Sequence, residues 1–275
     1  MTDVRDEAAL PAAANDRDSD RGSFIWYELM TTDPAGAKRF YEDVVGWTIG
    51  DPAPAGDVEY RFLQTPDGSA GGVLTLTQEM CDGGARPIWM GYIGVDDVDA
   101  AVAKAVDAGA TVQMEAFDAP GVGRMAMILD PQGVPIYLMR GASDMDSNAY
   151  QRHGVGHVSW NELMTTDREA ALAFYRDHFG YEQAGGLDMG PELGEYSFIA
   201  HSGETIGAVM KGSPESPTAW QFYFRVPDVD AAVEKITSGG GQLLFGPMDV
   251  PTGERVLVGL DPQGAVFGLV SGAAN

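Results

Sequence analysis

Hydrophobic and polar positions near the start of the chain predict one short series of elements. Residues 24–30 form an aromatic and apolar run that is typical of a β-strand. Thr32 or Asp33 then caps a helix that has Pro34 at its first position and ends at Gly46. Three further strand-like segments follow, so the series is strand, helix and three strands, a βαβββ unit.

The same series is predicted three more times along the chain. The predicted strands span residues 24–30, 47–49, 59–64, 72–77, 88–95, 111–115, 124–129, 134–140, 155–164, 181–184, 195–200, 205–210, 219–226, 242–246, 255–260 and 265–270, and the helices follow the first strand of each unit, over 33–46, 96–109, 168–179 and 229–238. The pattern predicts an α+β fold of four tandem βαβββ units that form two cup-shaped mixed-sheet domains.

A long internal repeat indicates that two units form one domain and that this domain is duplicated. The segment Trp26–Asp33 returns, with one change, as Trp160–Asp167. Near the end of each copy, the turn Asp130–Gly133 returns as Asp261–Gly264, both reading Asp-Pro-Gln-Gly. A repeat of this length is typical of duplicated domains rather than of a solenoid.

The repeat and the composition together predict the boundaries of these domains. Residues 1–22 are polar and rich in Asp, so we expect a flexible tail. The first domain is predicted over residues 23–141 and the second over 154–275. The stretch 142–153 between them is rich in Asp, Ser and Asn, which is typical of a linker.

Composition narrows the range of partners and compartments. The 275 residues include 41 acidic and 17 basic side chains, for a formal net charge of −24. This charge repels nucleic acid and anionic membrane surfaces. Because the chain has a single cysteine, Cys81, no apolar run of about 20 residues and no signal-peptide pattern, we expect a cytoplasmic protein. Separately, we expect a monomer or homodimer whose partner is a small-molecule ligand or substrate.

The motifs resemble those of a known superfamily. Paired βαβββ units, an Asp-capped first helix with Phe-Tyr at its centre, and a final strand after Asp-Pro-x-Gly are similar to the vicinal-oxygen-chelate superfamily. It includes glyoxalase I, extradiol dioxygenases and bleomycin-resistance proteins, and the doubled form resembles two-domain glyoxalase-like proteins of actinobacteria. The resemblance covers residues 24–140 and 154–271. It implies the fold more strongly than the reaction, because this fold supports several chemistries.

The resemblance also implies where a divalent metal would be bound. Members of the superfamily hold the ion with His and Glu side chains inside the cup. The corresponding positions are Trp26, Val73, Met90 and Tyr137 in the first copy and Trp160, Val209, Gln221 and Gly268 in the second. Indole and thioether groups are poor ligands for such ions, so we expect no metal site and no cofactor.

The histidines offer no alternative metal site. All four lie in the second half of the chain, and no two have the spacing of metal ligands. We expect them in surface or helix-capping roles. They are His153, His157, His178 and His201.

One carboxylate in each copy is the strongest candidate for chemistry. Strand alternation puts Trp26 and Glu28 on one face, and Trp160 and Glu162 likewise. A carboxylate in an aromatic pocket has a raised pKa and can act as a general acid or base. The alternative is a structural role, in which each Glu pairs with Arg or with backbone groups.

The other inward positions differ between the copies. The inward residues of the first copy predict a hydrophobic pocket with two phenols. The inward residues of the second copy are more polar and include a cation that can bind a carboxylate or enolate. They are Met90, Tyr92 and Tyr137 in the first copy and Gln221, Tyr223 and Arg225 in the second. Flexible lids are predicted at residues 120–123 and 251–253.

Two classes of function remain open from the sequence. The first is a metal-independent enzyme of the lyase, isomerase or hydroxylase type that acts on a small polyketide-like or carbonyl compound. Glu28 or Glu162 would move the proton, with Tyr137 or Tyr223 as the partner phenol and the other inward residues binding substrate. The second is a non-catalytic protein that binds an antibiotic or metabolite, and the acidic surface suits a cationic drug.

Overall fold

The computed structural model describes residues 20–55, 58–143, 145–212 and 218–272. The predicted tail therefore lies outside the described residues up to residue 19. The described residues form two mixed β-sheets with helices between their strands, which confirms the predicted α+β fold of four βαβββ units.

The first two units build a sheet that runs from residue 24 to residue 141. Its elements are β1 (Phe24–Thr31), α1 (Pro34–Val44), β2 (Thr48–Ile49), β3 (Ala53–Ala55), β4 (Val58–Thr65), β5 (Gly68–Thr75), α2 (Gln78–Asp82), β6 (Ile88–Gly94), α3 (Val98–Asp107), β7 (Thr111–Ala119), β8 (Gly123–Leu129) and β9 (Pro135–Gly141). The short elements β3 and α2 had no signal in the hydrophobic pattern.

The last two units build the second sheet. Its elements are β10 (Val158–Thr165), α4 (Arg168–Phe179), β11 (Glu182–Asp188), β12 (Glu195–His201), β13 (Glu204–Lys211), β14 (Ala219–Arg225), α5 (Val229–Ser238), β15 (Gln242–Asp249), β16 (Arg255–Leu260) and β17 (Val266–Ser271). In the part of the chain that the structure describes, no helix combines the length and the apolar character needed to cross a membrane.

Both sheets have the same strand order. The first runs β2-β4-β5-β1-β6-β9-β8-β7, with β3 paired to β4, and the second runs β11-β12-β13-β10-β14-β17-β16-β15. The opening strands of two neighbouring units pair antiparallel at the centre, β1 with β6 and β10 with β14. Each of these central strands also pairs in parallel with the last strand of its own unit. Side chains from the opening strands of two units therefore meet in the middle of each sheet.

The long helices begin where the sequence predicts. Asp33, Asp97, Asp167 and Asp228 are the N-caps, and each side chain accepts a hydrogen bond from a backbone N–H in the first turn. Pro34 occupies the first turn of α1, where its missing N–H costs no helical hydrogen bond. These caps fix the direction in which each helix leaves the sheet.

One face of each sheet packs against the other sheet in a single shared core. Phe222 on β14 has its ring centroid 5.8 Å from that of Phe24 and 5.0 Å from that of Tyr27, both on β1. Phe224 lies 4.6 Å from Trp89 on β6. Because these rings come from both domains, the duplicated halves share one hydrophobic interior, which we call the shared core.

The repeated Phe-Tyr and Asp-Pro-Gln-Gly motifs join the two domains. The Tyr41 hydroxyl donates to Asp261 Oδ2 at 3.1 Å, and the Tyr175 hydroxyl donates to Asp130 Oδ2 at 3.2 Å, each across the domain boundary. The other oxygen of Asp261 accepts three backbone N–H groups of its own turn, from residues 263–265. These motifs therefore serve the fold, and each domain completes a turn of its partner domain.

We expect Asp261→Ala to lower the free energy of unfolding by about 2–4 kcal/mol, because it leaves buried backbone donors and the Tyr41 hydroxyl unpaired. Urea unfolding followed by circular dichroism measures the loss. Asp249→Ala is the matched control, because Asp249 is exposed and forms a surface ion pair with Arg255. Equal stability of both variants would show that the Asp261 turn does not join the domains.

The surface or capping role predicted for the histidines is wrong for His157. Its ring is fully buried, and Nε2 lies 2.9 Å from Asp67 Oδ1, in the turn between β4 and β5. The ring nitrogens of His201 are also buried, and neither has a hydrogen-bond partner among the described residues. His157 is buried because the segment before β10 packs against the first domain, a long-range contact that strand alternation does not reveal.

Candidate functional site

The outer face of the first sheet, away from the shared core, forms cup one around Glu28. Glu28 is only 4% exposed, and its carboxyl is hydrogen-bonded by the phenols of Tyr60 on β4 and Tyr92 on β6. Trp26 Nε1 in turn donates to the Tyr60 hydroxyl oxygen at 2.8 Å. Three strands thus direct one carboxylate and two phenols to the same point.

Burial raises the pKa of Glu28 from 4.5 to about 7, while hydrogen bonds from Tyr92 and Tyr60 partly oppose this shift. Burial and the nearby Glu28 carboxylate also raise the pKa of both tyrosines, so the phenols keep their protons. No ion pair of Glu28 with Lys, Arg or His is found within the described ranges. Glu28 is therefore the group in cup one that can both take and give a proton near neutral pH.

The walls of cup one are aromatic rings and thioethers. Tyr137 stacks on Tyr92, with ring centroids 4.2 Å apart and planes inclined by 4°. Methionines complete a hydrophobic cluster that is separate from the shared core. They are Met30, Met90, Met114, Met125, Met127 and Met139. Polarizable, flexible thioethers beside stacked phenols form a lining that can adapt to a flat apolar ligand.

Cup two repeats the central arrangement on the second sheet. Tyr196 and Tyr223 donate to the two oxygens of Glu162 at 2.7 and 3.2 Å, and Trp160 Nε1 donates to the Tyr196 hydroxyl oxygen at 2.8 Å. Burial raises the pKa of Glu162, and the two phenols partly oppose the shift. A buried carboxylate bridged by two phenols is thus the common feature of both cups.

The remainder of cup two differs from cup one. Gln221 takes the place of Met90 and donates through Nε2 to the Tyr223 hydroxyl at 2.8 Å. Gly268 takes the place of Tyr137, and the Tyr223 ring lies so close to it that an added Cβ would be 2.4 Å from Cδ1 of the ring. Cup two therefore has one phenol fewer and one amide more.

A charged cluster lies at one end of cup two. The guanidinium of Arg225, which is 7% exposed, pairs with the Glu254 carboxylate. Arg152 Nη2 lies 2.9 Å from the other Glu254 oxygen, and the Arg152 guanidinium carbon is 4.9 Å from the centroid of the Trp160 ring. Burial acts to raise the pKa of Glu254, but the two guanidiniums outweigh it and hold the pKa below its usual value.

The structure brings the ten sequence-predicted site residues to two places, five of them on each sheet. Four further residues were missed: Tyr60, Tyr196, Arg152 and Glu254. A signal for the tyrosines was present, because Glu59-Tyr60-Arg61-Phe62 is repeated as Glu195-Tyr196-Ser197-Phe198. Arg152 in the predicted linker and Glu254 beside the predicted lid had no comparable signal.

The residues of neither cup fit the metal site of the resemblance. Val73 and Val209 lie in the shared core, so their assignment as cup positions is wrong, and the strand register instead pairs Glu28 with Gly72. The remaining positions offer indole, thioether, phenol and amide groups. Across the ranges that the structure describes, no three His, Cys, Asp or Glu side chains are grouped as metal ligands.

We expect Glu28→Gln to make the protein more stable than the wild type at alkaline pH. A carboxyl whose pKa is raised on folding stabilises the fold fully below pH 4.5, and this contribution is lost as pH rises through about 7. Gln imitates the protonated form at every pH. The free-energy difference between variant and wild type should thus grow by up to about 3 kcal/mol from pH 4 to pH 8.

Urea unfolding at both pH values measures this difference. Glu195→Gln is the control, because Glu195 is partly exposed and paired with Arg168, whose guanidinium lowers its pKa. A Glu28→Gln variant that is less stable than the wild type at pH 8 would show that the ionised carboxylate supports the fold.

The comparisons with known proteins agree with this architecture. The fold defines a class of proteins built from paired βαβββ units. The model of the Glyoxalase/Bleomycin resistance protein/Dioxygenase superfamily matches residues 23–138 and 154–269. The chain belongs to this superfamily, and both of its domains carry the match.

Two groups of relatives share nearly the whole chain. A protein of Mycobacterium tuberculosis named "Putative glyoxylase CFP32" is 35% identical over 254 residues, which cover 92% of this chain and 96% of the relative. The anthracycline biosynthesis protein DnrV of Streptomyces peucetius is 30% identical over 272 residues, covering 90% of this chain and 93% of the relative. The two-domain arrangement thus extends over the length of both relatives.

Solved structures of the superfamily show the same fold at low sequence identity. The Mn(II)-bound glyoxalase of Novosphingobium aromaticivorans has a TM-score of 0.63 and 18% identity, and the match covers 93% of this chain and 83% of that structure. A variant of homoprotocatechuate 2,3-dioxygenase from B. fuscum has a TM-score of 0.65 and 16% identity, with 91% and 71% covered.

Proposed function

We propose that the chain is a cytoplasmic, metal-independent enzyme of the lyase or isomerase type that acts on a small aromatic compound of secondary metabolism. The observation that supports this most strongly is the buried Glu28 carboxyl, whose pKa is raised to about 7 between two phenols. Cup two repeats this arrangement around Glu162. A buried carboxyl that titrates near neutral pH, with no cation beside it, is typical of a general acid–base residue.

The proposed chemistry is a proton transfer at a carbon beside a carbonyl. The Glu28 carboxylate takes the proton from that carbon, and the electron pair of the C–H bond moves to the carbonyl oxygen as an enolate. Once Glu28 is protonated, it no longer needs both phenol donors, so the Tyr60 or Tyr92 hydroxyl turns from Glu28 to that oxygen, donates a hydrogen bond to it and stabilises its charge. Return of the proton from Glu28 to a different carbon completes an isomerisation, whereas loss of a leaving group beside the enolate completes an elimination.

The lining of cup one supports a flat aromatic substrate. The parallel rings of Tyr92 and Tyr137 offer a stacking surface, and the surrounding methionines offer polarizable contacts. Two relatives are named anthracycline biosynthesis proteins, and their match to this chain covers 93% of the length of each. We therefore propose aromatic polyketides of the anthracycline type as the substrate class.

Turnover by metal-depleted protein tests the proposal. Elemental analysis of the purified protein comes first, followed by incubation of chelator-treated protein with a panel of anthracycline precursors in D2O. Mass spectrometry then follows isomerised or eliminated products and the incorporation of deuterium at carbon. Activity that appears only after Fe, Mn, Zn or Ni is added would overturn the metal-independent mechanism.

A binding protein is the second candidate, and the net charge of −24 favours it. A cationic, flat antibiotic would be attracted by this charge and would stack within cup one. Stoichiometric binding of daunorubicin, without any change in its mass after prolonged incubation, would support sequestration over catalysis. Isothermal titration calorimetry followed by mass spectrometry of the recovered compound makes this distinction.

A further inference from the structure

The Arg225–Glu254 pair of cup two has no counterpart at the equivalent positions of cup one. In the second unit of each domain the copies are related by 131 residues, as Asp130 and Asp261 show, so Gly94 corresponds to Arg225 and Gly123 to Glu254. An added Cβ would lie 2.4 Å from a backbone oxygen at Gly94 and 2.2 Å from one at Gly123. Cup one thus excludes side chains at both positions, and the charged pair belongs to cup two alone.

The cluster carries an excess of positive charge. Arg152 and Arg225 share the single carboxylate of Glu254, one oxygen to each guanidinium. Arg225 Nε also donates to the Arg152 carbonyl oxygen at 3.1 Å, which ties the two arginines together. The two guanidiniums and one carboxylate of these ion pairs leave the cluster itself with a net positive charge at a largely buried place, while the nearby Glu204 carboxylate, which acts on the same Tyr150 hydroxyl as the cluster, takes no part in the ion pairs. Such a cluster attracts anions.

The position of Glu254 allows its carboxylate to be replaced. Glu254 ends the turn between β15 and β16, and residues 251–253 of this turn are exposed. Gly253 has a φ of +80°, a left-handed conformation that favours glycine, and Thr252 Oγ1 donates to Glu254 Oε2 at 3.2 Å. The carboxylate therefore reaches the two arginines from a surface turn rather than from the body of the sheet.

The cluster is continuous with the aromatic interior of cup two. The Arg152 guanidinium lies over the Trp160 ring, and Trp160 donates to Tyr196, which donates to Glu162. The Phe198 ring lies 6.0 Å from that of Trp160. An anion on the arginines would thus sit beside aromatic rings and close to the chain of hydrogen bonds that ends at the buried carboxyl.

We infer that cup two binds a planar aromatic carboxylate, whose carboxylate replaces that of Glu254 on Arg152 and Arg225 while its ring packs against the aromatic walls. The inference rests on the proposed function only in taking cup two as a small-molecule site. It assigns different ligand classes to the two cups: neutral or cationic aromatic molecules to cup one, and anionic aromatic molecules to cup two. Glu254 acts as an internal competitor that holds the arginines in place when the ligand is absent.

Equilibrium binding of salicylate to the full-length protein tests this inference, with salicylamide as the neutral isostere. Isothermal titration calorimetry should show salicylate binding at least about tenfold more tightly than salicylamide, as expected for a charge-assisted contact with arginine. Arg225→Gln should abolish this preference. Glu254→Gln should increase salicylate affinity by about tenfold, because it removes the competing charge and keeps the side-chain shape.

Arg255→Gln is the matched control, because it removes one neighbouring arginine that pairs only with the exposed Asp230 and Asp249 among the described residues. It should change salicylate affinity by less than about twofold, whereas an effect as large as that of Arg225→Gln would reduce the inference to general electrostatics. Equal affinity for salicylate and salicylamide, or weaker binding by Glu254→Gln, would overturn it.

The binding experiment can be interpreted independently of a folding defect in one variant and of enzyme turnover. Circular dichroism checks each variant, and if Arg225→Gln does not fold, the isostere comparison and Glu254→Gln decide the question. Because equilibrium binding requires no turnover, failure of the proposed enzyme activity would leave a positive salicylate result intact. Conversely, an active enzyme with no preference for the anion would overturn only the inference about cup two.

Discussion

Replacing Glu28 or Glu162 with glutamine is expected to lower turnover by about 10²–10⁴-fold in the cup that performs the chemistry. Glutamine keeps the shape and can bond to both phenols, accepting from one and donating to the other, but it cannot take up a proton. Loss of activity should appear in kcat, because a general base, as proposed for this carboxylate, acts in the transition state rather than in substrate binding. Steady-state kinetics of the two single variants shows which cup is catalytic.

The pH profile gives a second, independent readout of the same group. If Glu28 is the base, kcat/KM should rise with pH through about 7 and then level off, since only the ionised carboxylate accepts a proton. Glu195→Gln should leave the profile unchanged, because its partly exposed carboxylate pairs with Arg168 on α4 rather than with the groups around Glu28. Full activity in the Glu28→Gln, Glu162→Gln double variant would remove both carboxylates from the mechanism.

Phe222→Ala is expected to lower the free energy of unfolding by about 3–5 kcal/mol. The Phe222 ring is 1% exposed and contacts Phe24 and Tyr27 of the first domain, so its removal leaves a cavity between the two sheets. Because the shared core spans both domains, we expect the wild type and the variant each to unfold in a single transition. Urea unfolding, followed by circular dichroism and tryptophan fluorescence, measures both the loss and the cooperativity.

Phe62→Ala is the matched control for this effect. The Phe62 side chain on β4 is 44% exposed and lies outside the shared core, so its truncation should cost about 1 kcal/mol or less. Two separate transitions in the wild type would contradict the idea of one interior. A loss at Phe222 no larger than at Phe62 would do the same.

The fold could be predicted from the sequence because nearly every helix and strand has a signal in its own residues. Strand alternation, Asp caps and Asp-Pro-Gln-Gly turns are determined by neighbouring residues, and all sixteen predicted strands lie within one or a few residues of their observed positions. Alternation also placed Trp26 and Glu28 on the same face, which required only that β1 be a regular strand at that point. The repeat then transferred this arrangement to the second copy.

The candidate site could be predicted only in part from the sequence, because several of its contacts join residues that are far apart in the chain. The contact of Tyr60 with Glu28 depends on the order of strands in the sheet. Tyr60 lies on β4, which is separated from β1 by β5, and this order is not visible in the local sequence. The contact of Arg152 with Glu254 joins residues 102 positions apart, and nothing local indicates it. Val73 was assigned to the wrong face because a shift of one residue reverses the direction of a strand side chain.

The paired Tyr–Asp bonds across the domain boundary also bear on how such a chain can change over evolutionary time. Each domain supplies a tyrosine hydroxyl to a turn of the other domain. Deletion of either domain would therefore leave an aspartate turn of the remaining domain without this hydrogen bond and expose its aromatic core face to solvent. The present contacts therefore make each half necessary to the fold of the other. The opposite faces of the two sheets carry no such mutual requirement, so substitutions there can make one face apolar and the other charged without weakening the joined scaffold.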